Sequence, residues 1–261
     1  MSFRVKELVS DFLLIHGGSH GAWCWGGVIR ELDRIGRKGR AFDLPGAGDD
    51  STPRASVTFN SYVSAVNVFI EAEDLRDFAL VGHSLAGILL PDIVAENRER
   101  AREVVFVAAY VLDRGERAID LIAHDRIPEY YRLAGASPEG SIMLSYDTAR
   151  QRFFSDLSDA EARAFYAKLT PQPLVPYLEP VQHGTRSISS MSRYIICRND
   201  RNLPVDLCRR FAEKLGGTIE EIDAGHDVML SKPIELAALL TKGRGNPHFS
   251  RGFPCGRGIR P

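Results

Sequence analysis

The sequence is short of cysteine, of net charge and of long apolar runs, and each shortage excludes a class of protein. Its four cysteines, at positions 24, 197, 208 and 255, have neither Cys-x-x-Cys spacing nor the density of a disulfide scaffold, so we expect them to be reduced. The formal net charge of −1 gives no overall positive field for a nucleic acid or an anionic membrane. No apolar run is long enough to cross a bilayer, and the first residues lack the apolar stretch of a secretory signal. These shortages favour a cytoplasmic protein whose partner is a small organic molecule.

Strand-like apolar runs alternate with segments of helical period along most of the chain. Strands are predicted over residues 12–15, 39–42, 78–81, 104–107, 194–197 and 218–222. Between residues 59 and 70, apolar side chains recur at spacings of three and four, which predicts a helix that packs on a sheet. This alternation is typical of an α/β fold with a mainly parallel sheet flanked by helices.

The alternation stops in the middle of the chain. Between residues 110 and 184, helical patterns follow one another without strands, which predicts an inserted helical cap. Within it, Ser158 to Glu161 has the form of a capping box, and the proline-rich stretch 170–176 predicts an extended return to the core. We therefore expect a core formed by residues 1–109 and 185–241, a cap over 110–184, and a disordered, glycine-rich and basic tail over 242–261.

A strand–turn–helix pattern surrounds Ser84. This serine follows the apolar run 78–81 and precedes another apolar run, 88–90. Its neighbours two positions away, Gly82 and Ala86, are small enough for the tight turn that presents a serine hydroxyl to a substrate, although glycine is commoner than alanine at the second position. The pattern predicts Ser84 as a nucleophile.

A nucleophilic serine needs a base, and the base needs an acid that orients it. His226 follows the last predicted strand and is the candidate base. Asp200 follows the strand 194–197 and is the candidate acid, which gives the chain order serine, aspartate, histidine. Asp113, shortly after the strand 104–107, is the alternative acid.

Acyl transfer also requires backbone N–H groups that donate to the developing oxyanion. The N–H of Leu85, directly after the predicted nucleophile, is one expected donor, and the N–H of Gly18, in the loop after the first strand, is the other. His16 and His20 flank Gly18. No carboxylate or cysteine at ligand spacing accompanies them, so we expect structural hydrogen bonds and no metal site.

Four segments resemble the plant methyl esterase and hydroxynitrile lyase family, which includes the salicylic-acid-binding methyl esterases, and its bacterial relatives. They are HGGSHGAWCW at 16–25, LVGHSLAG at 80–87, YIICRNDRNLP at 194–204 and HDVMLSKP at 226–233. The resemblance implies the α/β-hydrolase fold with Ser84 as nucleophile, Asp200 as acid and His226 as base. It also implies an oxyanion hole formed by the N–H groups of Gly18 and Leu85, and it favours Asp200 over the alternative acid.

The family resemblance implies a serine esterase that hydrolyses small methyl, alkyl or aryl carboxylic esters without a cofactor. Two alternatives stay open: a lyase that cleaves cyanohydrins with the same three residues, and a slowly acting ligand receptor of the same fold. Asp227 stands where the lyases have a lysine and Gly17 where they have a threonine. An aspartate would repel departing cyanide and a glycine offers no hydroxyl, so the esterase is favoured. The oligomeric state stays open, a homodimer included.

Overall fold

A sheet of six parallel strands forms the centre of the protein, seen in a computed structural model that describes residues 11–242. The strands of the chain are β1 (Asp11–Ile15), β2 (Lys38–Arg40), β3 (Phe78–His83), β4 (Ala101–Val107), β5 (Ser141–Ile142), β6 (Gln172–Pro173), β7 (Ser192–Cys197) and β8 (Thr218–Ile222). The large sheet has the order β2-β1-β3-β4-β7-β8 with parallel pairing throughout, whereas β5 and β6 form a separate antiparallel pair. The predicted α/β fold class is confirmed.

Helices cover both faces of the large sheet. They are α1 (Gly26–Arg34), α2 (Phe59–Ala72), α3 (Leu90–Asn97), α4 (Ile127–Ala136), α5 (Tyr146–Arg152), α6 (Asp159–Tyr166), α7 (Val175–Leu178), α8 (Val205–Leu215), α9 (Val228–Ser231) and α10 (Pro233–Thr241). Strand side chains alternate between the faces: Leu13 and Ile15 join the apolar cluster that contains α2, whereas Phe12 and Leu14 join the one that contains α1 and α10. Burial on both faces explains the continuous apolar runs of the strands. Within residues 11–242, no helix combines the length and the apolar character that a membrane span requires.

β1 and β2 each begin one residue earlier than predicted, and two further strands begin two or three residues earlier because charged residues precede their apolar runs. β4 begins at residue 101 rather than 104, and β7 begins at 192 rather than 194. In β7, the buried guanidinium of Arg193 lies 2.5 Å from a carboxylate oxygen of Glu103 in β4 and 2.5 Å from one of Glu220 in β8. These ion pairs allow charged side chains within the sheet. β2 ends at Arg40, two residues earlier than predicted, because the chain then turns toward the loop after β1.

The middle segment, residues 110–184, contains α4 to α7, as its helical pattern predicts, and also β5 and β6, which the sequence did not indicate. The capping box is confirmed: the Ser158 hydroxyl accepts from the N–H of Glu161, and the Glu161 carboxylate accepts from the N–H of Ser158. The stretch 170–176 is extended at β6 but enters α7 at Val175, because a proline in the first helical turn removes no helical hydrogen bond. The division into core and cap stays a prediction, and the predicted tail, apart from Lys242, lies outside the described residues.

The carboxyl ends of the parallel strands meet at one edge of the sheet. After β1 the chain leads to β2 on one side, and after β3 it leads to β4 on the other, so the two connections diverge. Such a divergence opens a crevice between the two loops, which is where ligands bind in sheets of this type. Ser84 follows β3 at this crevice, while Asp200 and His226 follow β7 and β8 at the same edge.

Gly87 lies where the chain after β3 leaves no room for a side chain. A Cβ atom there would lie 2.3 Å from the carbonyl oxygen of Tyr110 and 2.9 Å from the Cβ of Ala109. Because backbone atoms cannot move aside cheaply, we expect Gly87→Ala to lower the free energy of unfolding by about 1–3 kcal/mol in urea denaturation.

The matched control is Gly135→Ala in α4. A Cβ atom at Gly135 meets nothing within 4 Å, and alanine is favoured over glycine in a helix, so we expect stability to rise by up to about 1 kcal/mol. Equal stabilities of Gly87→Ala and the parent would contradict the close packing at Gly87.

Candidate active site

Ser84 occupies a tight turn between β3 and a 3-10 helix, Ser84–Ile88. Its φ of +53° lies in the left-handed region that residues other than glycine rarely adopt. Glycines make the room for this turn: a Cβ atom at Gly17 would lie 2.9 Å from the Cβ of Ser84, and one at Gly82 would lie 2.8 Å from the Leu90 side chain. The turn presents the serine side chain to a cavity at the edge of the sheet.

Two hydrogen bonds join Ser84, His226 and Asp200. The Nε2 atom of His226 lies 2.9 Å from the Ser84 Oγ, and its Nδ1 atom lies 2.7 Å from the Asp200 Oδ2. The other carboxylate oxygen of Asp200 accepts from the backbone N–H groups of Asn202 and Leu203, at 2.7 and 2.8 Å. A carboxylate fixed in this way holds a proton on Nδ1 and leaves the Nε2 lone pair facing the serine hydroxyl.

The pKa of His226 is raised above the ordinary histidine value of 6.5. Burial alone lowers it, because the charged imidazolium loses its hydration. The charge of Asp200, its hydrogen bond to the ring and the charge of Asp227 together outweigh burial. The ring therefore accepts a proton more readily than an ordinary histidine, which suits a general base.

Asp113, the alternative acid, lies in a different environment. Its side chain is 46% exposed, and its Oδ2 atom lies 3.1 Å from the Lys214 Nζ. This is a surface ion pair of the kind that contributes little to stability. The structure thus brings Asp200, and not Asp113, to the ring of His226.

Gly18 and Leu85, the predicted oxyanion donors, lie close to each other. Gly18 lines the cavity, and a Cβ atom on it would lie 3.5 Å from the Leu85 Cδ2. The next two N–H groups of the loop are already used: that of Ser19 donates to the Gln172 Oε1 and that of His20 to the carbonyl oxygen of Gly17. Neither is free for an oxyanion, so Gly18 remains the predicted donor of this loop.

His16 and His20 make the structural hydrogen bonds expected of them. Burial lowers the pKa of His16 to about 4, and this neutral ring lies 2.8 Å from the carbonyl oxygen of Gly17 through Nδ1 and accepts from the N–H of Leu44 at Nε2. His20 lies 2.8 Å from the carbonyl oxygen of Gly18 through Nδ1 and 2.8 Å from the Asp227 Oδ2 through Nε2. His20 therefore ties the loop after β1 to the residue that follows His226.

Asp227 is fully buried beside His226 and is not part of the cavity wall. Burial raises the pKa of Asp227. The opposite effect is larger and comes from the hydrogen bond with His20 and from the charges of His20, His83 and His226, so the pKa lies below the ordinary value. From its place in the sequence, this charge is expected next to a departing anion. In the structure the carboxylate faces His20 instead, and the pairing offsets its repulsion of an anion in the cavity.

His83, His226 and Asp227 each offer an atom to a metal ion, and these atoms lie within 4.8 Å of one another. Hydrogen bonds already involve most of the donor atoms. Both ring nitrogens of His226 are bonded, the His83 Nε2 lies 3.0 Å from the carbonyl oxygen of His226, and one oxygen of Asp227 is bonded to His20. The His83 Nδ1 and the Asp227 Oδ1 are buried without a hydrogen-bond partner among the described residues.

Asn202 is a site residue that the sequence analysis missed. Its Nδ2 atom lies 3.2 Å from the His226 Nε2, and the side chain lines the cavity. The Arg126 guanidinium donates to its carbonyl oxygen at 3.0 Å, and its N–H is bonded to Asp200, so its backbone is fixed on both sides. The side-chain NH₂ of Asn202 donates to the ring of His226 when that ring is neutral. When the ring is protonated, a rotation of the side-chain amide by 180° lets its oxygen accept from the ring. Its position two residues after Asp200 is the signal that could have identified it.

The cavity beside Ser84 has a mixed but uncharged wall away from the histidines. The middle segment and the loop after β4 supply its apolar and phenolic side chains, which are Tyr110, Tyr130, Ile142, Leu144, Phe153 and Tyr177. Among the described residues that line it, none is Lys, Arg, Asp or Glu. Such a wall suits a neutral organic ligand.

Replacing Asp200 tests the electrostatic origin of the raised pKa. We expect an NMR titration to place the pKa of His226 above 6.5 in the parent and lower in Asp200→Asn, because the amide keeps the shape but removes the charge. Asp113→Asn is the matched control and should leave this pKa unchanged. An equal His226 pKa in Asp200→Asn and the parent would contradict the assignment.

The alpha/beta hydrolase family model matches residues 12–239 of the chain. Carbendazim hydrolyzing esterase from Nocardioides sp. (strain SG-4G) is 26% identical over 245 residues, which cover 89% of this chain and 98% of that protein. Methylesterase 7 from Arabidopsis thaliana is 28% identical over 259 residues, which cover 90% and 96%. A solved structure, the extracellular alpha/beta-hydrolase from a Paenibacillus species that shares homology with tobacco salicylic acid binding protein 2, is similar with a TM-score of 0.82 at 24% identity, covering 89% of this chain and 98% of that one. The resemblance to plant methyl esterases is confirmed, and the chain belongs to the alpha/beta hydrolase family.

Proposed function

We propose that this protein is a serine esterase that hydrolyses small carboxylic esters. The observation that carries the proposal is the hydrogen-bonded chain from Asp200 through His226 to Ser84, whose hydroxyl opens into an uncharged part of the cavity. The carbendazim hydrolyzing esterase and methylesterase 7 support the same class of reaction.

The proposed reaction begins when the Ser84 Oγ attacks the carbonyl carbon of the ester. The His226 Nε2 takes the hydroxyl proton, and the Asp200 carboxylate stabilises the imidazolium. The N–H groups of Gly18 and Leu85 donate to the negative oxygen of the tetrahedral intermediate. When the intermediate collapses, the bond to the alcohol oxygen breaks, and His226 gives its proton to the departing alcohol.

The second half of the reaction releases the acid from Ser84. A water molecule attacks the acyl-enzyme while His226 takes one of its protons, and the same donors stabilise the second oxyanion. Collapse then returns the proton to the Ser84 oxygen and frees the carboxylic acid. Because His226 must be neutral to act as the base, turnover is lost as the pH falls through its raised pKa.

The cyanohydrin lyase and the slow receptor use the same three residues, so only an assay separates them from the esterase. No contact among residues 11–242 specifically favours either alternative. The cytoplasmic location stays a prediction, and the oligomeric state stays open.

The Ser84→Ala variant tests the proposed nucleophile on a panel of p-nitrophenyl, methyl and aryl esters, assayed beside mandelonitrile. We expect the parent to hydrolyse esters and the variant to lose about 10⁴-fold or more in kcat/KM, because no covalent acyl-enzyme forms. Ser56→Ala, an exposed serine outside the cavity wall, is the control and should match the parent. Rapid benzaldehyde release that depends on Ser84, without ester hydrolysis, would replace the esterase with the lyase.

A second pair of variants tests the acid. Asp200→Asn should lower kcat/KM by about 10⁴-fold, because an amide no longer holds the histidine tautomer or stabilises its charged form. Asp113→Asn removes only a surface ion pair and should stay within roughly twofold of the parent. The opposite ranking of these two variants would assign the role to Asp113.

A further inference from the structure

Two tyrosine hydroxyls in the cavity wall have no protein partner. Tyr110 and Tyr177 line the cavity and are only 5% and 8% exposed, yet neither hydroxyl makes a hydrogen bond to another described residue. Other tyrosines of the chain are paired: the hydroxyl of Tyr194 donates to the carbonyl oxygen of Ala109 at 2.7 Å, and that of Tyr166 donates to the carbonyl oxygen of Leu144 at 2.9 Å. Tyr130, the third tyrosine of the cavity wall, interacts with the Arg152 side chain. Among the tyrosines that line the cavity, the unpaired state is thus confined to Tyr110 and Tyr177.

An unpaired hydroxyl inside a protein is costly unless a ligand or solvent reaches it. Several buried polar atoms of the chain are sealed without a partner, but the hydroxyls of Tyr110 and Tyr177 are not among them. Since neither hydroxyl makes a hydrogen bond, each hydroxyl oxygen therefore keeps some exposed surface. Both hydroxyls are accessible to a molecule bound beside Ser84.

Both tyrosines adjoin the reacting groups. The Tyr177 hydroxyl would lie 3.1 Å from a Cβ atom on Gly18, so it is next to the predicted oxyanion donor. The ring of Tyr177 packs edge-on against Tyr130, with ring centres 5.7 Å apart. The N–H of Tyr110 donates to the carbonyl oxygen of Ser84 at 3.1 Å, which fixes its backbone to the nucleophile turn. A group that the Tyr177 hydroxyl binds is therefore close to the reacting carbonyl, and Tyr110 lines the same cavity.

The two hydroxyls carry their protons at neutral pH. Burial raises the pKa of both phenols above the ordinary value of 10.0. Each therefore has a hydrogen to donate, and the surrounding wall has no carboxylate to accept it. A neutral oxygen atom of the ligand is the partner that completes this arrangement.

We propose that Tyr110 and Tyr177 select esters that carry a second oxygen acceptor, an ether or carbonyl oxygen, close to the ester carbonyl. The inference rests on the proposed esterase function and specifies its substrate class. Such an oxygen accepts from the phenols, whereas a hydrocarbon group of the same size leaves them unpaired. A site built to hydrogen-bond one group rejects the analogue that lacks it.

The experiment uses two pairs of esters that differ by one CH₂ group replaced by oxygen. In the acyl part, the pair is 4-nitrophenyl butanoate and 4-nitrophenyl methoxyacetate; in the alcohol part, it is butyl acetate and 2-methoxyethyl acetate. For each pair, the ratio of kcat/KM values is compared between the parent, Tyr177→Phe and Tyr110→Phe. Intrinsic reactivity differs within a pair but cancels when the ratios are compared. The control is Tyr131→Phe, whose ring is 50% exposed.

We expect the preference for the oxygen-bearing ester to fall by about tenfold in at least one pair on removal of either hydroxyl, with the control unchanged. Thermal melting of each variant checks the fold, which phenylalanine preserves by keeping the ring. Ratios that stay the same in both variants and both pairs overturn the inference while leaving the esterase in place. An equal loss of kcat for both members of each pair in Tyr177→Phe also overturns it, because that hydroxyl then donates to the oxyanion. A parent that hydrolyses none of the four esters overturns the esterase proposal, and this inference with it.

Discussion

The rest of the site depends on the left-handed turn at Ser84. A serine with a φ of +53° is strained, and this backbone conformation persists only where the surrounding structure excludes the alternatives. Those surroundings come from three segments that approach so closely that Gly17, Gly82 and Gly87 have no space for a Cβ atom. The strands beneath are buried on both faces, so packing of the sheet provides the energy that holds the turn. The reacting oxygen is thereby fixed before any substrate binds.

Around this fixed oxygen, the loops at the edge of the sheet hold one another by hydrogen bonds. His20 joins the Gly18 carbonyl to Asp227, so the loop with the predicted oxyanion donor cannot move independently of the loop with His226. The middle segment adds a contact of its own, because the carboxylate of Asp156 accepts from the N–H of Gly225 at 2.6 Å. Supporting contacts of this kind decide whether reacting groups stay within the narrow limits that catalysis needs.

The sequence predicts features that local pattern determines and misses those that depend on distant contacts. The apolar runs located all six strands of the large sheet, and the strand–turn–helix pattern located the turn at Ser84. The early start of β7 was hidden, because Arg193 is a charged residue whose burial depends on glutamates in two other strands. Asn202 and Tyr177 were missed for the same reason, since each acquires its place only when folding brings it to His226 or Gly18.

The cavity wall comes from two parts of the chain that the sheet constrains to different degrees. The groups proposed to react follow β1, β3, β7 and β8, where the backbone is fixed by the sheet and few substitutions are sterically allowed. Tyr130, Ile142, Leu144, Phe153 and Tyr177 come from the middle segment, where a side chain can change without disturbing the strands. The chain is only 26–28% identical to the carbendazim hydrolyzing esterase and methylesterase 7, so most of its side chains differ from theirs. A fold does not determine the substrate, so the choice of ester has to be argued from this chain's own side chains.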